Sequence, residues 1–399
     1  MKYLALMAAL AAPTFAWANP DPSDWDAVTA EANGQTVYWN AWGGSTTTND
    51  FIAWVGQRVA EDYGVTLEHV KLTDTADAVT RVLSEKQAGE NDDGAIDMIW
   101  INGANFAAMK EADLLFGPYA EDLPNWAFVD VEGKTVQTDF TVPTDGMESP
   151  WAMAQVVFVH NAATMPDALG SMDELLEWAQ ANPGRFSYPQ PPDFLGTTFL
   201  KQVLVDIIED PAALQVAATD ETYDAVTAPL WAYLDALTPH LWRSGQAYPA
   251  TGTAMFPLIN DGELDLSISF SPGAASTAIA NFELPETVRT FVLDKGTIGN
   301  ASFVAIPYNS GSAAGAMVVA NFLMSPEAQA RAQDPNILGY GTVLNMDALP
   351  AEDRAVFDAL DLGIATLSPA ELGTVQAEPH PSWMTRIADD WVERYGTGQ

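Results

Sequence analysis

Val37–Ser45, with the sequence VYWNAWGGS, is the stretch around which the chain is organised. Its first three residues are bulky and favour a strand, and a helix is expected to start shortly afterwards, near Thr48–Asn49. Two glycines allow a ligand to approach the backbone closely, and free N–H groups at a helix start can hold polar or anionic atoms. The stretch therefore predicts one of two structures. One is a tight turn with the tryptophan in the core, and the other is a ligand-binding loop formed by Trp42, Gly43, Gly44 and Ser45.

The same order of strand, polar loop and helix recurs twice within the next 70 residues. Val65–Leu72 predicts a second strand and Ile96–Ile101 a third, which is apolar enough to be buried on both faces. Three such units predict a doubly wound, mostly parallel sheet, and ligands bind at the carboxyl ends of the strands in sheets of that kind. For Asp74 we favour a role as a helix N-cap over ligand contact. The candidate ligand contacts at these strand ends are Asp74, Thr75, Asn102, Gly103 and Asn105.

The second half of the chain predicts a further α/β unit. Proline and glycine are frequent in residues 116–149, and no long periodic segment occurs there. Pro150–Val159 then predicts one long strand, and 299–307 predicts another. Both are candidates for strands that cross between two domains. Between them, the patterns predict helices at 171–181, 195–208 and 222–237 and strands at 264–270 and 288–293.

Composition limits the classes of partner. The chain has 399 residues, 48% of them hydrophobic, which is enough for two globular domains. It carries 54 acidic and 16 basic residues, a formal net charge of −38. Nucleic acids and anionic membrane surfaces are excluded as partners, because binding to phosphates needs clustered Lys and Arg. The acidity indicates either a solvated acidic surface, which we favour, or a field that attracts a cationic ligand.

The N-terminus predicts export. A lysine at position 2 precedes an apolar run, Leu4–Ala12, and Ala16-Trp17-Ala18 has the small-x-small pattern of a cleavage site. These features predict a signal peptide over residues 1–18 that is cleaved after Ala18. The chain contains no cysteine, so we expect neither a lipid anchor nor a disulfide, and we expect a free, monomeric protein.

Enzyme motifs are missing from the sequence. The four histidines are scattered, and there is no HExxH zinc motif, no GxSxG elbow and no Walker loop. No cofactor or metal is expected. A pair of catalytic carboxylates could be hidden among the many acidic residues, so a secreted carboxylate-dependent hydrolase or lyase is the alternative function.

Aromatic residues, in contrast, are abundant. They could stack on a flat or cationic ligand, and core packing is the alternative for each of them. Asp193 and Glu148 are candidates for balancing a cationic ligand, although we favour solvated positions for both. The candidate stacking residues are Trp42, Trp151, Tyr188, Phe194 and Trp242.

Several long stretches resemble a known family. Those at 258–273 (LINDGELDLSISFSPG), 299–310 (GNASFVAIPYNS) and 322–333 (FLMSPEAQARAQ) resemble the periplasmic solute-binding proteins of ABC importers, of the larger type II kind. The chain is more closely similar to the YnjB-type family over essentially the whole mature length. This similarity is carried by YWNAWGG, DTADAVTRVLSEKQAG, DMIWINGANFAAMK, LLFGPYAEDLPN, SPWAMAQVVFVHN and YPQPPDFLGTTFL.

The resemblance implies a two-lobed α/β fold with a hinge, a solute clamped between the lobes, and a membrane permease as partner. Lobe one would comprise 19–152 plus 303–399, and lobe two 153–302. Docking to a chemoreceptor without transport is a third possible function. Among solutes, we rank a cationic aromatic such as thiamine or its pyrimidine and thiazole parts first, polyamines second, and sugars or other organic solutes third. An anion ranks lower because Lys and Arg are scarce.

The predicted ligand contacts extend to the hinge and the second lobe. The hinge and return strands would contribute side chains that reach the ligand from the floor of the cleft, and lobe two would close over it. These further contacts are Trp151 and Gln155, then Tyr188, Phe194, Thr197, Ser269 and Pro272, and finally Asn300 and Ser302.

Overall fold

A computed structural model describes residues 21–396. The predicted signal peptide and its cleavage after Ala18 lie outside the described residues. Among the described residues, no helix is both long and apolar enough to cross a membrane.

Strands and helices alternate along most of the chain. The strands are β1 Thr36–Trp42, β2 Thr66–Leu72, β3 Met98–Ile101, β4 Thr138–Asp139, β5 Val142–Pro143, β6 Glu148–Gln155, β7 Val157–Asn161, β8 Leu266–Ser269, β9 Val288–Phe291, β10 Thr297–Ala305 and β11 Val375–Gln376. The α-helices are α1 Trp25–Ala32, α2 Thr46–Tyr63, α3 Thr75–Ala88, α4 Ala104–Glu111, α5 Met172–Ala181, α6 Phe194–Ile207, α7 Asp220–Leu237, α8 Met255–Asn260, α9 Ala274–Ala280, α10 Ala313–Leu323, α11 Pro326–Gln333, α12 Ala351–Asp358, α13 Pro369–Leu372 and α14 Pro381–Tyr395.

The first three strands of the first sheet are parallel, as predicted. Strand β1 pairs in parallel with β2 on one side and with β3 on the other. Strand β10 then joins β3 in antiparallel orientation, and β6 pairs with β10. The predicted doubly wound α/β arrangement is confirmed, with two antiparallel strands added at one edge.

The second sheet is small and antiparallel. Strand β7 lies between β8 and β9. The single long strand predicted at Pro150–Val159 is interrupted at Val156, so that β6 belongs to the first sheet and β7 to the second. The chain passes from the first lobe to the second at this interruption. It returns at the start of β10, where β10 pairs with β11.

Each lobe has its own hydrophobic core. The first core is built on Val37, Trp39, Ile99 and their neighbours. The second contains Phe158, Tyr188 and Phe199, and a smaller cluster around Val157 and Val159 covers the opposite face of β7. Successive side chains of a strand point to opposite faces, so β7 is buried on both sides.

The C-terminal segment packs on the second lobe. Trp383, Ile387 and Trp391 of α14 lie in the second core, and Ala365 lies in the cluster beneath β7. All of 303–399 was predicted to belong to the first lobe; in the structure α14 contributes side chains to the second core and also contacts α4 of the first lobe. The apolar pattern of α14 indicates a buried face, but it does not identify the sheet against which that face packs.

We predict that Trp391→Ala lowers the free energy of unfolding by about 3–5 kcal/mol, because a fully buried aromatic ring is lost from the second core. The matched control is Val392→Ala, one position along the same helix, where the side chain is 43% exposed. Urea denaturation of both variants checks the prediction. Equal stabilities for the two variants would contradict this placement of α14.

Candidate functional site

The β1–α2 junction is held tightly by local contacts. Trp42 is half-buried at the end of β1, and its indole covers Gly44, where a Cβ would lie 2.4 Å from the ring. Ser45 is the N-cap of α2, and its hydroxyl accepts a hydrogen bond from the Thr48 N–H at 3.4 Å. The Gly43 carbonyl accepts from Asn49 Nδ2 at 3.2 Å. The hydrogen bonds fix the backbone of the turn, and the indole of Trp42 packs over Gly44 and stays partly exposed.

The polar groups at the β3–α4 junction are hydrogen-bonded to other groups of the protein. Asn102 Nδ2 donates to the Ala301 carbonyl at 2.6 Å, and the Asn105 N–H donates to the Asn102 carbonyl at 3.3 Å. Gly103 adopts a φ of +58° and donates its N–H to the carboxylate of Asp139. The anion-binding position at this helix start is therefore occupied by a side chain of the chain itself.

The start of α3 is also capped. Asp74 is exposed and accepts from the Ala76 N–H at 2.9 Å, which is the N-cap role favoured from the sequence. Thr75 Oγ1 donates to the Trp100 carbonyl at 3.3 Å and so ties α3 to β3.

Three of the four predicted contacts on the crossing strands lie at the junction of the lobes. Gln155 Nε2 donates to Thr297 Oγ1 at 3.1 Å and to the Leu372 carbonyl at 3.0 Å. Asn300 Nδ2 donates to the carboxylate of Glu378 at 3.0 Å. Ser302, opposite Ala152 in the strand pair, is half-buried.

Trp151 belongs to the first core, which is the core packing that the sequence left open as the alternative to a ligand contact. It is fully buried, with its ring stacked on Phe51 at 6.0 Å and edge-on to Trp100 at 4.8 Å. Tyr340 lies 5.8 Å from it. Trp151 therefore supports residues at the cleft from beneath.

Tyr188 belongs to the second core, and in this structure its ring packs there instead of lining an open surface. Its ring is fully buried against Phe199 at 4.4 Å, and its hydroxyl accepts from Trp391 Nε1 at 3.0 Å. Thr197 is fully buried as well, with its hydroxyl donating to the Asp193 carbonyl one turn earlier.

The remaining predicted contacts of the second lobe differ in exposure and position. Phe194 is 39% exposed and lies edge-on to Phe270 at 5.5 Å. Ser269 and Pro272 are buried in the turn that follows β8, where the Ser269 hydroxyl accepts from the Ser271 N–H at 3.1 Å. Trp242 is half-buried elsewhere and donates to Glu263.

Backbone contacts bring the turn after β8 against the first lobe. The Gly273 N–H donates to the Gly339 carbonyl at 3.0 Å, and a Cβ on Gly273 would lie 2.5 Å from the Gly339 Cα. Next along the chain, the ring of Tyr340 packs against Trp151 of the first core. Only residues without a side chain allow this approach, so the two lobes meet closely in this structure.

Four residues that sequence reasoning did not select as ligand contacts lie at the centre of the junction. Lys201 and Glu378 are fully buried and form an ion pair of 2.6 Å. The Lys201 ammonium also lies 4.5 Å from the centre of the Phe140 ring, and Phe140 covers Gly103. The backbone of Phe140 has a φ of +54°, rare for a bulky residue, and Asp139 next to it is fully buried. A lone lysine within the apolar run of α6 was the signal available in the sequence.

Burial governs the acidity of the carboxyl groups here. Desolvation raises the pKa of Glu378, although Lys201 and Asn300 oppose the rise. It also raises the pKa values of Asp139 and Glu148 well above their usual range, and Glu378 adds to the rise for Asp139. Glu148 was expected to be solvated, but it is fully buried. Asp193 is half-buried and caps α6 through the N–H groups of Leu195 and Gly196.

Two surface grooves lie away from these residues. One of about 390 Å³ is lined by Trp54 and Arg331, and one of about 340 Å³ by Ser276 and Ile364. Neither contains a predicted ligand contact. Within residues 21–396, no group of three or more acidic or histidine side chains is placed to hold a metal ion.

Two α/β lobes, joined by crossing strands and meeting at capped helix starts and partly exposed rings, are the architecture of a solute-binding protein. The family model described as "Bacterial extracellular solute-binding protein" matches residues 54–352, and the chain belongs to this family. The family implies a small-molecule solute and an ABC permease as partner.

Individual relatives agree with this assignment. Protein YnjB of Escherichia coli K12 is 44% identical over 375 residues, which is 94% of this chain and 95% of YnjB. Among solved structures, AfuA of Actinobacillus pleuropneumoniae, with fructose-6-phosphate bound, has a TM-score of 0.63 at 12% identity and covers 91% of this chain and 99% of AfuA. The spermidine/putrescine substrate-binding protein PotD of Streptococcus pneumoniae has a TM-score of 0.59 at 17% identity, covering 90% and 98%. At these identities the two structures show the fold alone, and it is the predicted two-lobed type II fold.

We predict that Lys201→Met lowers the free energy of unfolding by about 3–5 kcal/mol at neutral pH, because it leaves Glu378 charged, buried and without its ion pair. The loss should shrink as the pH falls, since Glu378 can then bind a proton and no longer needs a cation. Thermal and urea unfolding at pH 5 and pH 8 check this.

The matched control for this prediction is Arg354→Met, which removes an exposed ion pair to Asp347 and should change the stability little. A loss for Lys201→Met as small as that of the control would contradict the account of the buried pair.

Proposed function

We propose that the chain is exported to the periplasm, captures a small cationic or aromatic solute between its lobes and presents it to a membrane permease. The ligand-contacting residues would be those of the β1–α2 turn, Trp42–Ser45, together with Phe194 and the turn after β8. Thr75, Asn102, Asn105, Gln155, Asn300 and Ser302 would line the remaining floor, with their present hydrogen bonds holding them in place.

The observation that carries the proposal is that the helix starts expected to line the cleft are already capped by side chains of the protein. Ser45 caps α2, Asp74 caps α3, Asp139 accepts from the residue before α4, and Asp193 caps α6. An anionic solute would find these N–H groups taken and carboxylates nearby. A cationic or flat solute would find the partly exposed rings of Trp42 and Phe194, and a strongly negative protein that attracts it.

The order of solutes follows from this chemistry. A cationic aromatic such as thiamine, or its pyrimidine and thiazole parts, could use both the rings and the acidic field, so we rank it first. Polyamines use chiefly the charge and rank second, and sugars use chiefly the rings and rank third.

The structure gives no reason to prefer a hydrolase or lyase. Asp139 and Glu148 are neighbouring carboxyl groups, but both are fully buried in this arrangement, out of reach of a substrate and a water.

We predict that one solute from a panel of thiamine, putrescine, spermidine and glucose binds in a 1:1 ratio without turnover, as measured by calorimetry on protein refolded free of ligand. Trp42→Ala should weaken that binding about tenfold, because a stacking surface for the solute is lost.

The matched control is Tyr38→Ala on the same strand, where the ring is 46% exposed at a distance from the strand end; it should bind like the unmodified protein. Saturable turnover of a panel member would contradict the proposed function. Unchanged affinity in the Trp42 variant would remove this residue from the site.

A further inference from the structure

The junction between the lobes buries more negative charge than it compensates. Asp139, Glu148 and Glu378 are carboxyl groups that are at most 2% exposed, and Lys201 is the ammonium group buried among them. One oxygen of Asp139 and both oxygens of Glu148 have no hydrogen-bond partner among the described residues. Burying an ionised carboxylate without a partner is costly, and such groups bind a proton instead.

These groups come from both lobes. Lys201 lies on α6 of the second lobe. Glu378 is anchored there too, because its carbonyl accepts from Gln215 Nε2 and the following His380 N–H donates to the Leu214 carbonyl.

Asp139, in contrast, is held to the first lobe by the Gly103 N–H, and the neighbouring Phe140 ring also packs on Gly103. The same ring covers the ammonium of Lys201. The contact between Phe140 and Lys201 therefore joins the lobes and excludes water from the carboxyl groups on both sides.

The charged side chains that face Asp139 and Glu148 do not neutralise the excess negative charge. Asp139 faces Lys201 and Glu378, and Glu148 faces Asp139 together with Lys110 of α4. Lys110 is already paired with Asp145 and with the Pro143 carbonyl. Tyr119, which also faces Glu148, is buried and neutral because burial raises its pKa well above its usual range.

We propose that the contact of Asp139 and Phe140 with Lys201 and Glu378 is a proton-dependent latch that favours the closed arrangement of the lobes as the pH falls. The proposal rests on the proposed function in one respect, namely that the lobes open and close about the crossing strands. Opening would return water to Asp139 and Glu378 and separate them, so their carboxylates would again be stable.

The direction of the effect follows from proton binding. In the closed arrangement the pKa values of Asp139 and Glu378 are raised above their ordinary values of 3.8 and 4.5 by burial. The closed form therefore binds more protons than the open form between the ordinary and the raised pKa. Its advantage is complete below the ordinary pKa and is lost as the pH rises through the raised pKa.

The latch depends on the C-terminal return of the chain. Glu378 lies beyond residues 54–352, the range matched by the family model, and it precedes α14, which packs against α4 of the first lobe. The charge that balances Lys201 is thus supplied by the C-terminal segment that leads into α14.

The absence of cysteine makes a direct test feasible. Spin labels on Val216→Cys and Val356→Cys would report the distance between the lobes, since these side chains are 63% and 53% exposed and lie on the second and first lobes. Pulsed electron paramagnetic resonance without solute, at several values between pH 5 and pH 8, gives the closed and open populations. We expect the closed-to-open ratio to rise as the pH falls, by up to tenfold per pH unit for each proton taken up.

Substitutions test whether the pH dependence of closure arises from the latch residues. Asp139→Asn removes a charge but can still accept from the Gly103 N–H, so it should close the protein at pH 8 and flatten the pH dependence. Glu148→Gln should do so in part, because Glu148 repels Asp139. The matched control is Glu132→Gln in the segment before β4, where the carboxylate is exposed; this variant should behave like the unmodified protein. Gly273→Val supplies the open reference, because its side chain would wedge against Gly339.

Populations that do not change with pH, or an Asp139→Asn variant that responds like the unmodified protein, would overturn the latch. The experiment contains no solute, so its outcome is separate from that of the proposed function. Solute binding that depends on Trp42, without pH-dependent closure, would support the proposed function and contradict the latch. Closure at low pH without binding of any solute in the panel would support the latch and contradict the proposed function.

Discussion

The pairing of β6 with β10 is the constraint on which the molecule depends. These two strands run antiparallel from Glu148 opposite Ala305 to Gln155 opposite Gly299, and at that end each continues towards the second lobe. Because a strand pair bends and twists more readily than a packed core deforms, motion between the lobes is expected to concentrate here.

The chemistry of the junction follows from that constraint. If the lobes hinge about two strands, their facing surfaces must be stable both in water and against each other. The facing surfaces of this chain consist of capped helix starts, the glycine pair Gly273 and Gly339, and partly exposed aromatic rings. A solute can close such a molecule only by as much as it prefers the closed form over the open one. The buried carboxyl groups around Lys201 change that balance through protons, and so the solute and the pH act on the same equilibrium.

Much of this was accessible from the sequence because it is periodic. The parallel strands, the cap at Asp74 and the two crossings were predicted from local pattern, and the structure has them. The start of α2 was expected near Thr48–Asn49, whereas the helix begins at Thr46 with Ser45 as its N-cap. For Trp151 and Tyr188 the sequence left both ligand contact and core packing open, because an aromatic ring at a strand end looks the same in sequence whether it faces a core or a cleft. The structure packs both rings in the cores. The packing of α14 on the second lobe, and the meeting of Asp139, Lys201 and Glu378, depend on contacts between residues far apart in the chain, which no local pattern records.

The central claim is that a solute is held between the lobes, and a crystal structure of the protein with its tightest-binding solute tests it most directly. The account predicts density between Trp42–Ser45 on one side and Phe194 and the turn after β8 on the other, with contacts to both lobes. Density confined to a surface groove, such as the one beside Trp54 and Arg331, would contradict it.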